Sequence, residues 1–546
     1  MYKSKLTALL LATVLLLPAF SACTSKAPTD TTTTTTSKEY TPVTPVTHIA
    51  DVTYNTPNTE TVPSQDGKTR VIYALNIPNA GEITGESQQV LASDRSTTQQ
   101  VTVKPGVGYE FKGWSDGKES SSRRGDSGEA GKTITYYAIL APAALEMPIL
   151  NITTETGADV QSREEYINGS VSLANCDARY AIEDLDMEIR GRGNNSWLYR
   201  KKSYRIKFSK KVNFLGVAEE GNKSWNLIAN MCDQTLLRNY TALKFAAMMP
   251  GIDFSPACVN VEVYLNGEYR GVYLMCEAIQ IKDGRVDIQD DPEAGTDIGY
   301  LLQMTRYTEE PAFGAGGRDY EIKSDLSTNE RLRSDQYWFI QDYVDRCYQA
   351  LESGDKRKIE SLIDLDSLID TYIVEEIVKN LDVGWDSFYL YKDAGGKLCF
   401  GPIWDFDLSL GNANEGCEYY TDLYAARDLM AQSNPWYYTM MSHDWLRERV
   451  AERYQSAEVQ EVIQSLHNMI QAEVDANYNS LKRNFERWQI FGEGQNREPQ
   501  AIIDLKNYDQ HYQYLLNWLD GRIDFMNTFI GGERYKAGYN TLEGDS

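Results

Sequence analysis

Residues 380–412 read NLDVGWDSFYLYKDAGGKLCFGPIWDFDLSLGN, and this stretch places aspartates on both sides of a hairpin pattern. Asp382 precedes two strand-like runs that meet at the turn AGGK, and Asp405 and Asp407 follow the second run. Upstream, residues 364–381 carry apolar side chains at the 3.6-residue period of a helix packed on a core. The predicted order is therefore a helix, a loop with Asp382, a hairpin, and then a pair of acids.

This order of elements suits phosphoryl transfer. A helix end and a hairpin hold two loops side by side, so an acid on the first loop can take a hydroxyl proton while acids on the second hold magnesium on the phosphates. In protein kinases an asparagine stands five residues after the catalytic acid, and Ser387 stands there in this chain, beside Asp386. The candidate catalytic residue is Asp382, and the candidate metal ligands are Asp405, Asp407 and Ser387.

The distribution of histidines and cysteines excludes several chemistries. No histidine falls between residues 49 and 442, so chemistry in that range must use carboxylates, lysines, arginines or hydroxyls. Neither a C-x-x-C nor an H-x-x-x-H pattern occurs, which argues against a structural zinc site. The cysteines after Cys23 are scattered singly, a pattern that favours buried thiols over a disulfide framework.

A glycine-rich segment precedes these acids in the chain. Residues 191–196, GRGNNS, lie between the strand-like runs DLDMEIRG and SYRIKF, as a loop that covers a nucleotide does, although an ordinary hairpin loop has the same pattern. Glu277 ends a second hairpin whose tip is Asn266-Gly267, and it is either a partner for a lysine or a charge at a solvated strand end. The candidate nucleotide-binding residues are Arg192, Lys202, Lys207 and Glu277.

Taken in order, several short stretches resemble the spore-coat protein H (CotH) kinase family, secreted atypical kinases with a much-reduced kinase-like fold. They are IRGRGNNSWLYRKKSYRIKF, SWNLIANMCDQTLLRNYTALKFA, VNVEVYLNGEYRGVYLMCEAIQI, GYLLQM and NLDVGWDSFYLYKD followed by PIWDFDLSLGN.

The resemblance covers roughly residues 145–530. It implies use of ATP with Mg²⁺ or Mn²⁺, with Asp382 at the place of the catalytic acid and Asp405, with Asp407 alongside, at that of the metal-binding acid. Lys202 and Lys207 fall in the strand on the nucleotide side. Family members often carry asparagine at the place of Ser387.

Other interpretations of the same residues stay open. Asp405 and Asp407 can cap a turn after a strand, and the neighbouring aromatic residues can fill a core. A glycoside hydrolase also uses two carboxylates flanked by aromatic rings, but it needs no glycine-rich loop upstream. The third alternative is a surface-anchored binding or structural protein that keeps the kinase-like scaffold without turnover.

The N-terminus predicts export. Residues 1–22 have two lysines, an apolar run and a small-residue end, the composition of a signal peptide. Because a cysteine directly follows, we expect a lipoprotein cut that leaves Cys23 as the lipid-bearing residue, the alternative being an ordinary secretory cut. Residues 23–66 are rich in Thr and Pro and read as a flexible linker. The expected location is the extracellular face of the membrane, attached only through the lipid.

Residues 67–142 alternate short strands with polar turns and resemble the small β-repeat modules of internalin-type surface proteins. Within this module, residues 113–117 spell G-x-S-x-G, which without a following helix or a histidine partner we interpret as a turn. The predicted architecture is α+β: this all-β module, a kinase-like domain over 143–535 with a helical C-terminal part, and a flexible tail over 536–546.

The charge of the chain limits its partners. A net charge of −25 and a pI of about 4.7 argue against nucleic acid as a partner, since binding nucleic acid requires a basic face.

The predicted function is transfer of the γ-phosphoryl group of ATP to serine or threonine of surface or secreted proteins.

Overall fold

The computed structural model describes residues 56–538, except for short gaps at 79, 93–95, 107–108, 124, 143–145, 219, 414–424 and 495–497. The predicted signal peptide, Cys23 and the first part of the linker lie outside the described residues. Within the described part, none of the helices is long and apolar enough to cross a membrane.

The described chain begins with a module of eight strands: β1 (Glu60–Pro63), β2 (Thr69–Leu75), β3 (Gly81–Thr84), β4 (Gln88–Leu91), β5 (Val101–Pro105), β6 (Tyr109–Trp114), β7 (Ser122–Arg123) and β8 (Lys132–Pro142). One sheet has the order β1-β8-β2-β4 with β6 also on β8, and the other is β3-β5-β7. Since β1 pairs with β8, residues 60–63 belong to this module and the predicted linker is shorter than 23–66. The G-x-S-x-G string forms a turn, in which the Trp114 N–H donates to the Lys118 carbonyl at 2.7 Å.

Seven further strands form a closed barrel in the order β10-β11-β12-β13-β15-β14-β9. Their bounds are β9 (Ile149–Thr154), β10 (Ile167–Ala174), β11 (Ile182–Arg192), β12 (Ser203–Val212), β13 (Asn222–Ile228), β14 (Cys258–Leu265) and β15 (Glu268–Glu277). Closure depends on β9, which runs antiparallel to β10 and parallel to β14. Alternation along β12 buries Tyr204, Ile206 and Phe208 in the barrel and leaves Arg205 and Lys207 on its outer face.

A further five-stranded sheet has the order β17-β18-β16-β19-β20. Its strands are β16 (Tyr300–Met304), β17 (Ala312–Ala315), β18 (Arg318–Ile322), β19 (Phe388–Lys392) and β20 (Leu398–Phe400). The predicted hairpin of the opening stretch is β19–β20, and its pairing with β16 brings together segments separated by almost ninety residues in the chain.

Helices pack against the barrel and against the five-stranded sheet that contains β19 and β20. They are α1 (Arg238–Met248), α2 (Glu330–Ser353), α3 (Lys356–Leu362), α4 (Leu365–Val378), α5 (Pro435–Met441), α6 (Asp444–Tyr454), α7 (Ala457–Arg487), α8 (Gln500–Ile503), α9 (Tyr508–Phe529) and α10 (Glu533–Lys536). Asp364 caps α4 by accepting from the Ser367 N–H at 2.8 Å. Almost every residue of α4 is buried, so this helix is the central element of the largest hydrophobic core.

The expected α+β architecture is confirmed, including the β-rich N-terminal part and the helical C-terminal part. The closed barrel was not predicted, because its closure requires strands from distant parts of the chain to pair.

Candidate active site

Asp382, Ser387, Asp405 and Asp407 line one cavity of about 390 Å³. Its walls are the loop between β11 and β12, residues 228–232 after β13, the end of β16, and the two loops that flank the β19–β20 hairpin. The hairpin therefore brings both acidic loops to the same cavity, as the order of elements implied.

The loop that carries Asp382 is held by its neighbours. Lys379 ends α4 in the left-handed backbone region, with φ of 50°, and turns the chain into a 3-10 helix over Asp382–Gly384. The Asn380 side-chain oxygen accepts from the Asp382 backbone N–H at 3.1 Å. Asn434 donates to the Val383 carbonyl at 2.8 Å. These bonds fix the backbone from which the Asp382 carboxylate enters the cavity.

Asp386 fastens this loop to the end of β16. Its carboxylate accepts from the Thr305 hydroxyl at 3.0 Å, from the Arg306 backbone N–H at 2.8 Å and from Arg306 Nε at 2.7 Å. Arg306 remains 53% exposed and itself lines the cavity, so it adds a cation at the rim. Sequence analysis missed Arg306, since only the pairing of β16 with β19 places it beside the acidic loop.

Asp405 and Ser387 contact each other in the cavity wall. The Ser387 hydroxyl donates to Asp405 Oδ2 at 3.4 Å. Both residues have left-handed backbones, with φ of 72° for Asp405 and 56° for Ser387. Such a conformation costs a non-glycine residue roughly 1–2 kcal/mol, and here it occurs at two residues of one cavity.

Asp407 is the electrostatically perturbed member of the acidic pair. Burial raises the pKa of its carboxyl well above its usual range, and the negative charges of Asp405 and Asp382 raise it further. Like charges confined in a small space destabilise each other's ionised form. A cation bound beside Asp407 would favour its ionised form and so lower this pKa again.

Helix α1 holds the second acidic loop in place. The Asn239 side-chain oxygen accepts from the Phe406 N–H, between the two acids, at 2.8 Å. Arg238, which is buried and paired with Asp233, donates from Nε to the Ser409 carbonyl at 3.1 Å. Neither residue was singled out from the sequence, because the helix and the loop lie about 170 positions apart.

The glycine-rich loop, residues 191–196, forms another wall of the cavity. A Cβ added at Gly191 would lie 2.3 Å from the Trp197 ring, and one added at Gly193, whose φ is 91°, would lie 2.0 Å from Ser196 Oγ. The loop thus needs both glycines to fold onto its own side chains. Arg192 lines the cavity and lies over the Trp404 ring at 5.3 Å, so it is a positive group near the acids.

The structure separates the predicted lysines from the cavity. Lys202 donates to the Trp197 carbonyl and so braces the glycine-rich loop. Lys207 lies on the outer face of the barrel, 50% exposed, and pairs with Glu188 at 3.3 Å; it is absent from the cavity wall. The outward direction follows from strand alternation, which the sequence run SYRIKF already contains.

Lys201, which precedes β12, lines the cavity wall but directs its ammonium group elsewhere. It donates to Asn484 Oδ1 at 2.9 Å and to the Val272 carbonyl, and burial lowers its pKa well below the usual range.

Glu277 does not pair with a lysine. Its carboxylate accepts from Arg285 Nε at 2.9 Å and from Asn222 Nδ2 at 3.0 Å, and it is 2% exposed. Neither alternative from the sequence, a lysine partner or a solvated strand end, holds, because Arg285, eight residues later, folds back over the end of β15. Glu277 is therefore part of a buried ion pair that stabilises the barrel end.

The donors present fit a hard divalent cation. Two carboxylates and a hydroxyl, from Asp405, Asp407 and Ser387, are oxygen ligands of the kind that Mg²⁺ and Mn²⁺ take. Among the described residues, no group of three or more His, Cys, Asp or Glu side chains is spaced to hold a metal by itself. Magnesium commonly uses one or two carboxylates together with substrate phosphates and water, so this set suits a metal that binds with the nucleotide.

Comparison with known proteins agrees with this geometry. The family model described as CotH kinase protein matches residues 189–526, more than half of the chain and a span that contains every residue of the cavity.

The chain belongs to the CotH kinase family.

Inner spore coat protein H of Bacillus subtilis (strain 168) is 24% identical over 240 residues, which are 42% of this chain and 61% of that protein. The chain thus matches less than two thirds of this relative's length. The CotH family assignment indicates a possible kinase that uses ATP and a metal ion.

Proposed function

We propose that this protein is a kinase that transfers the γ-phosphoryl group of ATP to serine or threonine of surface or secreted proteins. The observation that carries the proposal is the convergence of Asp382 and the Asp405–Asp407 pair on one cavity that also contains Arg192 and Arg306. Phosphoryl transfer needs a base for the acceptor hydroxyl, ligands for a metal and cations for the phosphates, and these residues supply each class.

The chemistry assigns a role to each loop. The acceptor oxygen forms a bond to the γ-phosphorus, the bond to the bridging oxygen of the β-phosphate breaks, and ADP leaves. Asp382 orients the acceptor hydroxyl and takes its proton, a contribution typically worth 10²- to 10⁴-fold in rate.

Asp405, Asp407 and Ser387 would hold Mg²⁺ or Mn²⁺, which when bound neutralises charge on the phosphates. Arg192 and Arg306 add positive groups at the cavity wall and rim, which can stabilise charge on the phosphates.

The predicted export signal and Cys23 support a location outside the cytoplasm, attached through lipid. The name of the Bacillus relative, an inner spore coat protein, supports a role in a surface layer. A surface layer supplies acceptor proteins at high local concentration, which suits an anchored kinase.

The test is intact-mass spectrometry of the purified protein incubated with ATP and Mg²⁺ or Mn²⁺. We expect added phosphate on the parent and none on Asp382→Asn or Asp405→Asn, while the exposed Asp335→Asn, on α2, behaves as the parent. In a thermal-shift assay, Asp382→Asn should retain metal-dependent nucleotide binding and Asp405→Asn should lose it. Unmodified parent protein without a nucleotide-dependent shift would favour a binding scaffold without turnover.

A further inference from the structure

A second, smaller cavity lies on the outer face of the barrel and is lined by lysines. It has a volume of about 310 Å³ and lies between β12, β13 and the segment after β15; its lining residues are Lys207, Lys211, Lys223, Ser224, Gln280, Ile281 and Lys282. Four amino groups in one concave site stand out on a chain whose net charge is −25.

The positive charge of this lysine pocket is only partly compensated. Lys207 pairs with Glu188 at 3.3 Å, and the Lys282 ammonium donates to Asn222 Oδ1, a neutral acceptor, at 2.8 Å. Within the described part of the chain, no carboxylate lies within ion-pair distance of Lys211, Lys223 or Lys282. The charge of this pocket therefore favours an anionic ligand.

Buried polar contacts hold two of the lining residues, Ser224 and Gln280. Arg285, 3% exposed, donates to the Gln280 side-chain oxygen at 2.8 Å and to the Ser224 carbonyl at 2.9 Å, while its Nε bonds to Glu277. These bonds hold the segment after β15 against β13. Hydrogen bonds to a buried arginine therefore fix part of the pocket wall.

The lysine pocket lies on the same face of β12 as the cavity of the candidate active site. Ser203 lines the cavity and Lys207 lines the pocket, and both side chains emerge on the side of β12 that carries Arg205. Four residues of strand separate them by about 13 Å, which an extended peptide covers with roughly four residues. A single acceptor segment can therefore reach both places.

We infer that the lysine pocket binds a phosphoserine or phosphothreonine of an acceptor segment that is already phosphorylated. This inference rests on the proposed kinase function, because that reaction creates such residues. The concave shape suits a discrete phosphate group, to which lysines bind as point charges. Retention of a phosphorylated segment directs the next transfer to a hydroxyl at least about four residues away.

The experiment is fluorescence anisotropy, without nucleotide, of a labelled Gly/Ser/Thr peptide with one phosphoserine and of its unphosphorylated twin. The variant is Lys211→Gln/Lys223→Gln, and the matched control is Lys358→Gln/Lys397→Gln, two lysines outside the pocket. We expect roughly tenfold weaker binding of the phosphopeptide by the pocket variant, unchanged binding by the control, and weak binding of the twin by all.

Equal affinity of the parent and the pocket variant for the phosphopeptide would overturn the inference. A second result would also overturn it: the parent sediments with vesicles of 30% phosphatidylglycerol in phosphatidylcholine, the Lys211→Gln/Lys223→Gln variant does not, and neither binds the phosphopeptide. The ligand would then be a membrane. Binding is measured without ATP, so a failure here leaves the kinase proposal standing, and absence of phosphotransfer in the mass experiment leaves this binding result interpretable.

Discussion

Glu375 offers the sharpest test of the core beneath the candidate site. It lies in the last turn of α4, 3% exposed, and its Oε2 has no hydrogen-bond partner in the part of the chain that the structure describes. Burial raises the pKa of Glu375 to about 8, from an ordinary value of 4.5, and the charges of Glu376 and Asp382 contribute in the same direction. The folded protein therefore keeps this carboxyl neutral at pH 7, whereas the unfolded chain ionises it.

The sign of the pH effect follows from linkage. A carboxyl whose pKa is higher in the folded state contributes stability that is complete below pH 4.5 and is lost as the pH rises through about 8. Integration between pH 5 and pH 8 gives a loss of about 3–4 kcal/mol of unfolding free energy from this one group. Glu375→Gln, which cannot ionise, removes that loss.

The measurement is urea denaturation of the parent and the variant at pH 5 and pH 8, followed by tryptophan fluorescence. We expect the two proteins to differ little at pH 5, and the variant to be more stable by a few kcal/mol at pH 8. Glu352→Gln, an exposed glutamate on α2, should follow the parent at both values. If Glu375→Gln loses as much stability as the parent between pH 5 and pH 8, the carboxyl is not held neutral and the reasoning fails.

Three further predictions use buried groups elsewhere. Burial lowers the pKa of His511 to about 4, from an ordinary value of 6.5, so the unfolded chain takes up the proton first and stability is lost as the pH falls from 6.5 to 4. That loss is about 3 kcal/mol, and His511→Gln should remove it in urea titrations at pH 7 and pH 4. Arg522, fully buried, donates to Glu376 at 2.9 Å, and Arg522→Met should cost about 3–5 kcal/mol of unfolding free energy, partly recovered when Glu376→Gln is added. Gly191→Ala should collide with the Trp197 ring and abolish the nucleotide-dependent thermal shift while circular dichroism stays unchanged.

Local signals in the sequence identified most elements around the site. The apolar period of residues 364–381 and the turn AGGK predicted α4 and the β19–β20 hairpin, and the structure contains both. Asn266-Gly267 likewise predicted the turn between β14 and β15. These predictions succeeded because turn chemistry and hydrophobic period are properties of neighbouring residues. The convergence of Asp382 and Asp405 then followed from the order of these elements.

Side-chain direction was the weaker part of the prediction. Lys202 and Lys207 were selected by position in the chain, but the first bonds to the loop backbone and the second points away from the cavity. Arg306 was missed because it reaches the cavity only through the pairing of β16 with β19. Ion-pair partners such as Arg285 for Glu277 depend on how a segment folds back, which periodicity does not report.

The sequence by itself determined the local elements, the acidic character of the chain and the two acidic loops, because these depend on residue type and short spacing. Only the tertiary structure decided that β9 closes a barrel with β14, which lies about 110 residues later, and that the lysines of β12 and β13 form a pocket of their own. Pairing between distant strands is selected by the burial of whole faces, and that free energy belongs to the assembled fold rather than to any one segment.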